Sequence, residues 1–179
     1  MNWSLRPATP VATLLLLGLL GCNKIDFGAD EGISHRSPNN LPEGPQDPTD
    51  WTSDVRWSKS ETNLFKDLGL ELNATQNPSL VRRIDAYPNP AAQGSMLAVR
   101  FDINTLPANT LLVIRIVDKK YKVIRSGNPF NVRAGGVALS LELTKDKFAP
   151  KQTYRLYYVL YTTDNQLLYK GHGDVKVVR

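Results

Sequence analysis

The chain is 179 residues long, with 22 Lys and Arg against 17 Asp and Glu, a net charge of +5 at pH 7. Its single cysteine excludes an intramolecular disulfide and any multi-cysteine metal site, so the fold must hold by burial and hydrogen bonding. Two histidines, with no Gly-x-Ser-x-Gly elbow, P-loop, dinucleotide-binding glycine pattern or His-Glu-x-x-His helix, leave the common catalytic classes without their residues. The chain therefore reads as a non-enzyme without a cofactor.

Residues 1–21 have the three parts of a secretory signal: Arg6 near the start, an apolar stretch from Val11 to Leu20, and small Gly21 at the cut. The apolar stretch is about half the roughly 20 residues that span a bilayer as a helix, so it is expected to be removed rather than to anchor. Leu19-Leu20-Gly21-Cys22 resembles the bacterial lipobox. The resemblance implies cleavage before Cys22 and a diacylglycerol joined to its thiol as a thioether, with a further acyl group such as palmitate. At about 0.8 kcal/mol per buried methylene, two or three such chains attach a protein almost permanently. Asn23, where an Asp resembles the inner-membrane retention signal, implies the outer membrane. Residues 24–31 hold only scattered acids and match poorly the acidic surface-export signal of Bacteroidetes lipoproteins, so either face of that membrane is open.

Residues 22–50 contain Pro38, Pro42, Pro45 and Pro48 with several Gly, Asn and Ser, and little periodic apolar content. Such composition buries too little to offset the entropy of ordering, and it predicts a disordered tether. A flexible chain of that length spans about 5 to 6 Å times the square root of its residue number, on the order of 30 Å. Residues 51–80, with Trp51, Trp57, Phe65, Leu68, Leu70 and Leu72 as apolar content, are expected to be a partly ordered linker whose two tryptophans pack it on the folded part, against the reading of a ligand platform. The alternation Leu68, Leu70, Leu72 predicts a short strand there.

From residue 81 onward strand signals recur at short spacing. Leu97, Val99, Phe101 and Ile103 alternate with Ala98, Arg100 and Asp102, and Val137, Leu139, Leu141 and Leu143 repeat the period of a half-buried strand. Further strands are predicted at 83–87, 111–118, 122–125, 154–162, 166–169 and 174–178. Turns are expected at 104–109, 118–120, 134–136 and 164–165, where Gly, Asn and Asp collect. Short strands at that spacing without a helical period predict an all-β domain over 81–179: a single immunoglobulin-like antiparallel β-sandwich of seven to eight strands.

The segments Ile84-Asp85-Ala86-Tyr87-Pro88-Asn89-Pro90, Ile114-Arg115-Ile116-Val117-Asp118 and Tyr154-Arg155-Leu156-Tyr157-Tyr158, with basic Asp174-Val175-Lys176-Val177-Val178-Arg179, resemble the C-terminal sorting domain of Bacteroidetes type IX secretion cargo. That family is an immunoglobulin-like sandwich opening near a Tyr-Pro-Asn-Pro turn and ending in a basic strand. Gln152-Thr153 stand where a glycine usually precedes the late tyrosine strand, and such cargo does not normally carry a lipobox. The resemblance thus implies fold and a Bacteroidetes-like origin rather than a secretion-signal role, which stays as an alternative.

Charge separates the two parts: residues 22–80 hold 5 basic and 10 acidic side chains, net −5, and residues 81–179 hold 16 and 7, net +9. Outside the cytoplasm, a basic domain meets anionic glycans, lipopolysaccharide or acidic protein surfaces, and not nucleic acid. Lys119, Lys120, Lys122 and Arg125 are the candidate anion- or partner-binding cluster, equally readable as a charged edge that resists aggregation. Tyr157 and Tyr161 are a candidate sugar-stacking platform, against the reading that cross-strand tyrosines pack the sheet. His172 beside Asp174 offers a base or half a metal site, but a histidine between glycines is expected to be a local turn residue. The sequence thus points to a binding or assembly module of the outer membrane, attached to lipid through Cys22, with an envelope protein complex or anionic glycan as partner. A surface glycan-binding module is the other alternative.

Overall fold

Two long strands near the C-terminus, β9 (Gln152–Thr162) and β10 (Leu167–Val178), form the spine of the larger sheet. The computed structural model describes residues 24–28 and 32–179, so the signal-like segment and Cys22 lie outside the described residues. Around the spine are β1 (Thr52–Ser53), β3 (Ala91–Ala92), β5 (Thr110–Val117), β6 (Val123–Ser126) and β7 (Phe130–Asn131). Their order is β1-β10-β9-β5-β6, with β3 also on β10 and β7 also on β5. The smaller sheet has the order β2-β4-β8, from β2 (Val81–Tyr87), β4 (Met96–Ile103) and β8 (Gly135–Glu142). Every pairing is antiparallel except that of β3 with β10. The protein is an all-β sandwich.

Alternation dictates which side chains enter the sandwich. Leu97, Val99 and Phe101 of β4 face Leu112, Ile114 and Ile116 of β5 and Leu156, Tyr158 and Leu160 of β9 in the main core. The opposite parity of β5 and β9, Val113, Tyr157, Val159 and Tyr161, packs under Trp57, Phe65 and Leu72 in a second core. Strand β9 is therefore covered on both faces, which is why its sequence reads as a nearly unbroken apolar run.

The sandwich thus has ten strands among the described residues, against seven to eight expected. The additional ones are the two-residue strands β1, β3 and β7, too short to leave a period. The predicted strands at 166–169 and 174–178 are one strand, because the chain passes extended through Gly171-His172-Gly173. No strand forms at Leu68, Leu70 and Leu72: Lys66–Leu68 is a 3₁₀ turn ended by Gly69 at φ 65°. The preceding helix α1 (Lys59–Asn63) starts with a capping box, in which Ser58 and Glu61 satisfy each other's backbone N–H groups.

The free-tether expectation fails for the described part of 22–50. Ile25 and Ile33 are 1% exposed, and Asp50 and Trp51 are also buried. The segment is held by hydrogen bonds rather than by periodic apolar packing. Asn89, fully buried in the Tyr-Pro-Asn-Pro turn, exchanges backbone hydrogen bonds with Arg36 at 2.7 and 2.9 Å. Its side-chain amide donates to the Ser34 carbonyl (3.2 Å) and the Asp174 carbonyl (2.9 Å), and its oxygen accepts from Lys176 N–H (3.1 Å). Arg36 adds an ion pair to buried Asp85 at 2.9 Å.

Two glycines make room for this docking. A Cβ on Gly173 would stand 2.2 Å from the Trp51 indole, and one on Gly171 would stand 1.9 Å from the Thr52 carbonyl oxygen. The Gly171-His172-Gly173 sequence is thus a strand whose bare face receives β1 and Trp51.

Candidate functional site

The β5–β6 connection is a tight loop organised by Asp118. One carboxylate oxygen accepts from the backbone N–H of Lys120 (2.8 Å) and Lys122 (3.0 Å). The loop is closed by Asp118 N–H to the Lys122 carbonyl and Tyr121 N–H to the Asp118 carbonyl, each at 3.0 Å. Tyr121 sits at φ 62°, turning its ring back toward the second core. With the backbone pinned, Lys119, Lys120 and Lys122 project into solvent.

The start of the described chain meets this loop. Ile25 N–H donates to the Lys119 carbonyl at 2.8 Å, and Arg155 donates to the Asp26 carbonyl at 3.2 Å while lying over the Phe27 ring at 5.4 Å. Lys24 is thereby set beside Lys119 and Lys120 on a cleft of about 520 Å³ whose apolar wall is Ile124, Ala149 and Tyr154. Cys22, the expected lipidation site, precedes Lys24 by two positions and lies outside the described residues. Sequence reading missed Lys24 because it falls in a segment whose composition signals a tether. The one available signal was Ile25 and Phe27, apolar side chains separated by one residue at its start.

Arg125 does not join the lysines as a free cation. It is half-buried, and its guanidinium donates to the Glu142 carbonyl of β8 at 3.1 Å, tying the two sheets together. The cluster brought together at the cleft is therefore Lys24, Lys119 and Lys120, with Lys122 exposed on the same loop.

The aromatic platform is corrected. Alternation does send Tyr157 and Tyr161 to the face opposite Tyr154 and Tyr158, but that face is covered, leaving Tyr157 0% and Tyr161 5% exposed. Tyr157 meets Trp57 edge-on at 5.4 Å and donates to the Glu61 carboxylate at 3.0 Å. Burial and the Glu61 charge both push its hydroxyl well above the ordinary tyrosine value. No sugar ring can stack on either tyrosine without removal of residues 57–72.

His172 and Asp174 project to one face of β10 but serve different partners. His172 Nδ1 lies 2.8 Å from Asp54, and Asp174 pairs with Arg155 at 2.6 Å. The expected turn role for His172 is replaced by a mid-strand one: its ring holds the residues just after β1. Lys170, fully buried, donates to the carbonyls of Asp54 and Val55, the latter at 3.1 Å, and lies over the Trp57 ring at 5.3 Å. Burial lowers its pKa, against the opposing pull of Asp54 and Glu61.

Asp50 completes this polar seam. Its oxygens accept from Ser34 N–H (2.8 Å) and Asp174 N–H (2.9 Å). Burial, reinforced by the Asp174 charge, pushes its carboxyl up to about 8. Asp174 is also raised by burial, opposed by Arg155. Burial alone would lower Arg155, but the hydrogen bonds and charge of Asp174 hold its guanidinium above its usual value. These groups bind one part of the chain to another, and their pKa shifts follow from that burial. Among the described residues no cluster of three or more His, Cys, Asp or Glu converges to hold a metal ion.

The exposed loop of lysines, with Lys24 beside it, is therefore the candidate interaction site. Comparison with known proteins finds no family model that matches the chain and no curated protein significantly similar to it.

Proposed function

We propose that this chain is a non-catalytic lipoprotein of the outer membrane, held through lipid on Cys22, whose basic sandwich is a binding or assembly module of the cell envelope. What supports the reading most is the 2.8 Å hydrogen bond from Ile25 to Lys119, because it ties the residues immediately after Cys22 to the basic loop. From Cys22 to Lys24 the chain can reach about 7 Å, so a lipid at Cys22 holds the sandwich at the membrane instead of about 30 Å away. The largely covered ionisable side chains, His172 with Asp54 and Asp174 with Arg155, serve as internal ties, in keeping with a binding role.

Mass spectrometry of the mature protein tests the anchor: the reading expects an N-terminal Cys22 carrying two or three acyl chains. An unmodified Cys22, or another first residue, refutes it. Crosslinking in intact envelopes should then recover a defined partner through the wild type and less of it through Lys119→Glu/Lys120→Glu.

A further inference from the structure

We propose that the lysine-rich end of the sandwich lies against the membrane and binds the phosphate-bearing headgroups of anionic phospholipids. The location rests on the Cys22 anchor proposed above; the binding itself does not.

Register defines the end in question. Val117 at the end of β5 stands opposite Arg155 near the start of β9, and Val177 at the end of β10 stands opposite Gln152. The loop 118–122, the loop 143–151 and the first described residues therefore gather at one end of the sandwich. Exposed Lys24, Lys119, Lys120, Lys122, Lys147 and Lys151 outnumber the nearby acids Asp26, Asp118, Glu142 and Asp146. Asp118 also has one oxygen occupied by two backbone N–H groups. None of these lysines is in an ion pair among the described residues. The opposite end, where β5 begins and β9 finishes, carries the loops 104–109, 132–134 and 163–166, whose charged side chains are Arg133 and Asp164. Positive charge is thus polarised along the strands toward the end at which the chain enters from Cys22.

A membrane fits this end better than a soluble ligand does. The cations are spread around an open cleft of about 520 Å³ instead of converging in an enclosed pocket. Ammonium groups on flexible stems suit a mobile layer of phosphates, where a bidentate site would call for arginine. A covalent lipid supplemented by a basic patch is also the combination that makes surface attachment firm.

The test uses the mature chain from residue 22 with Cys22→Ser, which cannot be acylated. It should cosediment with vesicles containing phosphatidylglycerol and not with pure phosphatidylcholine, and raised salt should release it. Lys119→Gln/Lys120→Gln/Lys122→Gln should weaken partitioning on the order of 100-fold at unchanged thermal stability, whereas Arg133→Gln at the far end leaves it intact. Equal binding of the triple variant, indifference to lipid charge, or binding only to lipopolysaccharide micelles would each overturn the proposal. Because no acyl chain is present, a failed patch with a lipidated native Cys22 refutes this orientation alone. A binding patch with an unmodified Cys22 refutes the anchor alone.

Discussion

Replacing Gly173 with alanine is the sharpest probe of how the N-terminal segment is held. The new methyl would lie 2.2 to 2.4 Å from three atoms of the Trp51 indole, well inside contact distance. The ring cannot slide away freely, because Trp51 N–H donates to the His172 carbonyl at 2.8 Å and fixes the backbone beneath it. Partial accommodation falls in the range for overpacking, about 1–3 kcal/mol. Full expulsion of an aromatic burying roughly 150–250 Å², at about 25 cal/mol per Å², costs on the order of 4–6 kcal/mol. A loss of about 2–5 kcal/mol in urea unfolding is therefore expected, with tryptophan emission shifted to the red. An unobstructed strand glycine would respond oppositely, gaining roughly 0.5–1 kcal/mol on replacement by alanine. A double-mutant cycle isolates the contact: in a Trp51→Ala background, Gly173→Ala should cost little. Strict additivity of the two substitutions, or a Gly173→Ala protein as stable as wild type, would refute the account.

Asp50 makes stability depend on pH. Its folded pKa of about 8 lies above the unfolded value of 3.8, so the folded state holds the extra proton between them. Its contribution is full below pH 4 and is lost as pH rises to about 8, by an amount on the order of 5 kcal/mol. Asp50→Asn should flatten that slope in chemical denaturation curves, and an unaltered slope would count against the assignment. Tyr157→Ala should cost about 3–5 kcal/mol in thermal or urea unfolding, as a buried aromatic does, and leave any polysaccharide-array signal as it was. His172→Ala leaves the Asp54 carboxylate with only the Trp57 indole N–H (2.6 Å) of its two side-chain partners and should cost about 1–3 kcal/mol, with faster amide exchange confined to residues 51–54. Global acceleration, or none, would contradict that local role.

Alternation in β4, β8 and β9 was legible because a half-buried strand writes its burial into every second residue. The basic loop was legible too, since consecutive lysines after Asp118 have no core to enter. The covering of Tyr157 was not, because nothing in β9 says whether its outer parity meets water or another segment. Trp57, Phe65 and Leu72 decide that from about a hundred residues away, and they do so through tertiary packing. Residues 33–50 illustrate the same limit from the other side. Their composition carries no period, and their order comes from hydrogen bonds to Asn89 and Asp174 and an ion pair to Asp85, partners that only the folded sandwich brings within reach.

By itself, then, the sequence determined the all-β class, the positions of the long strands and the concentration of positive charge in 81–179, all of which follow from local pattern. Tertiary structure decided what the pattern could not encode: that Gly171 and Gly173 are a docking face, that Asp50 is buried beside Asp174, and that Lys24 lies beside Lys119 and Lys120. Each of these depends on the distance between residues far apart in the chain, and a one-dimensional pattern carries no such distance.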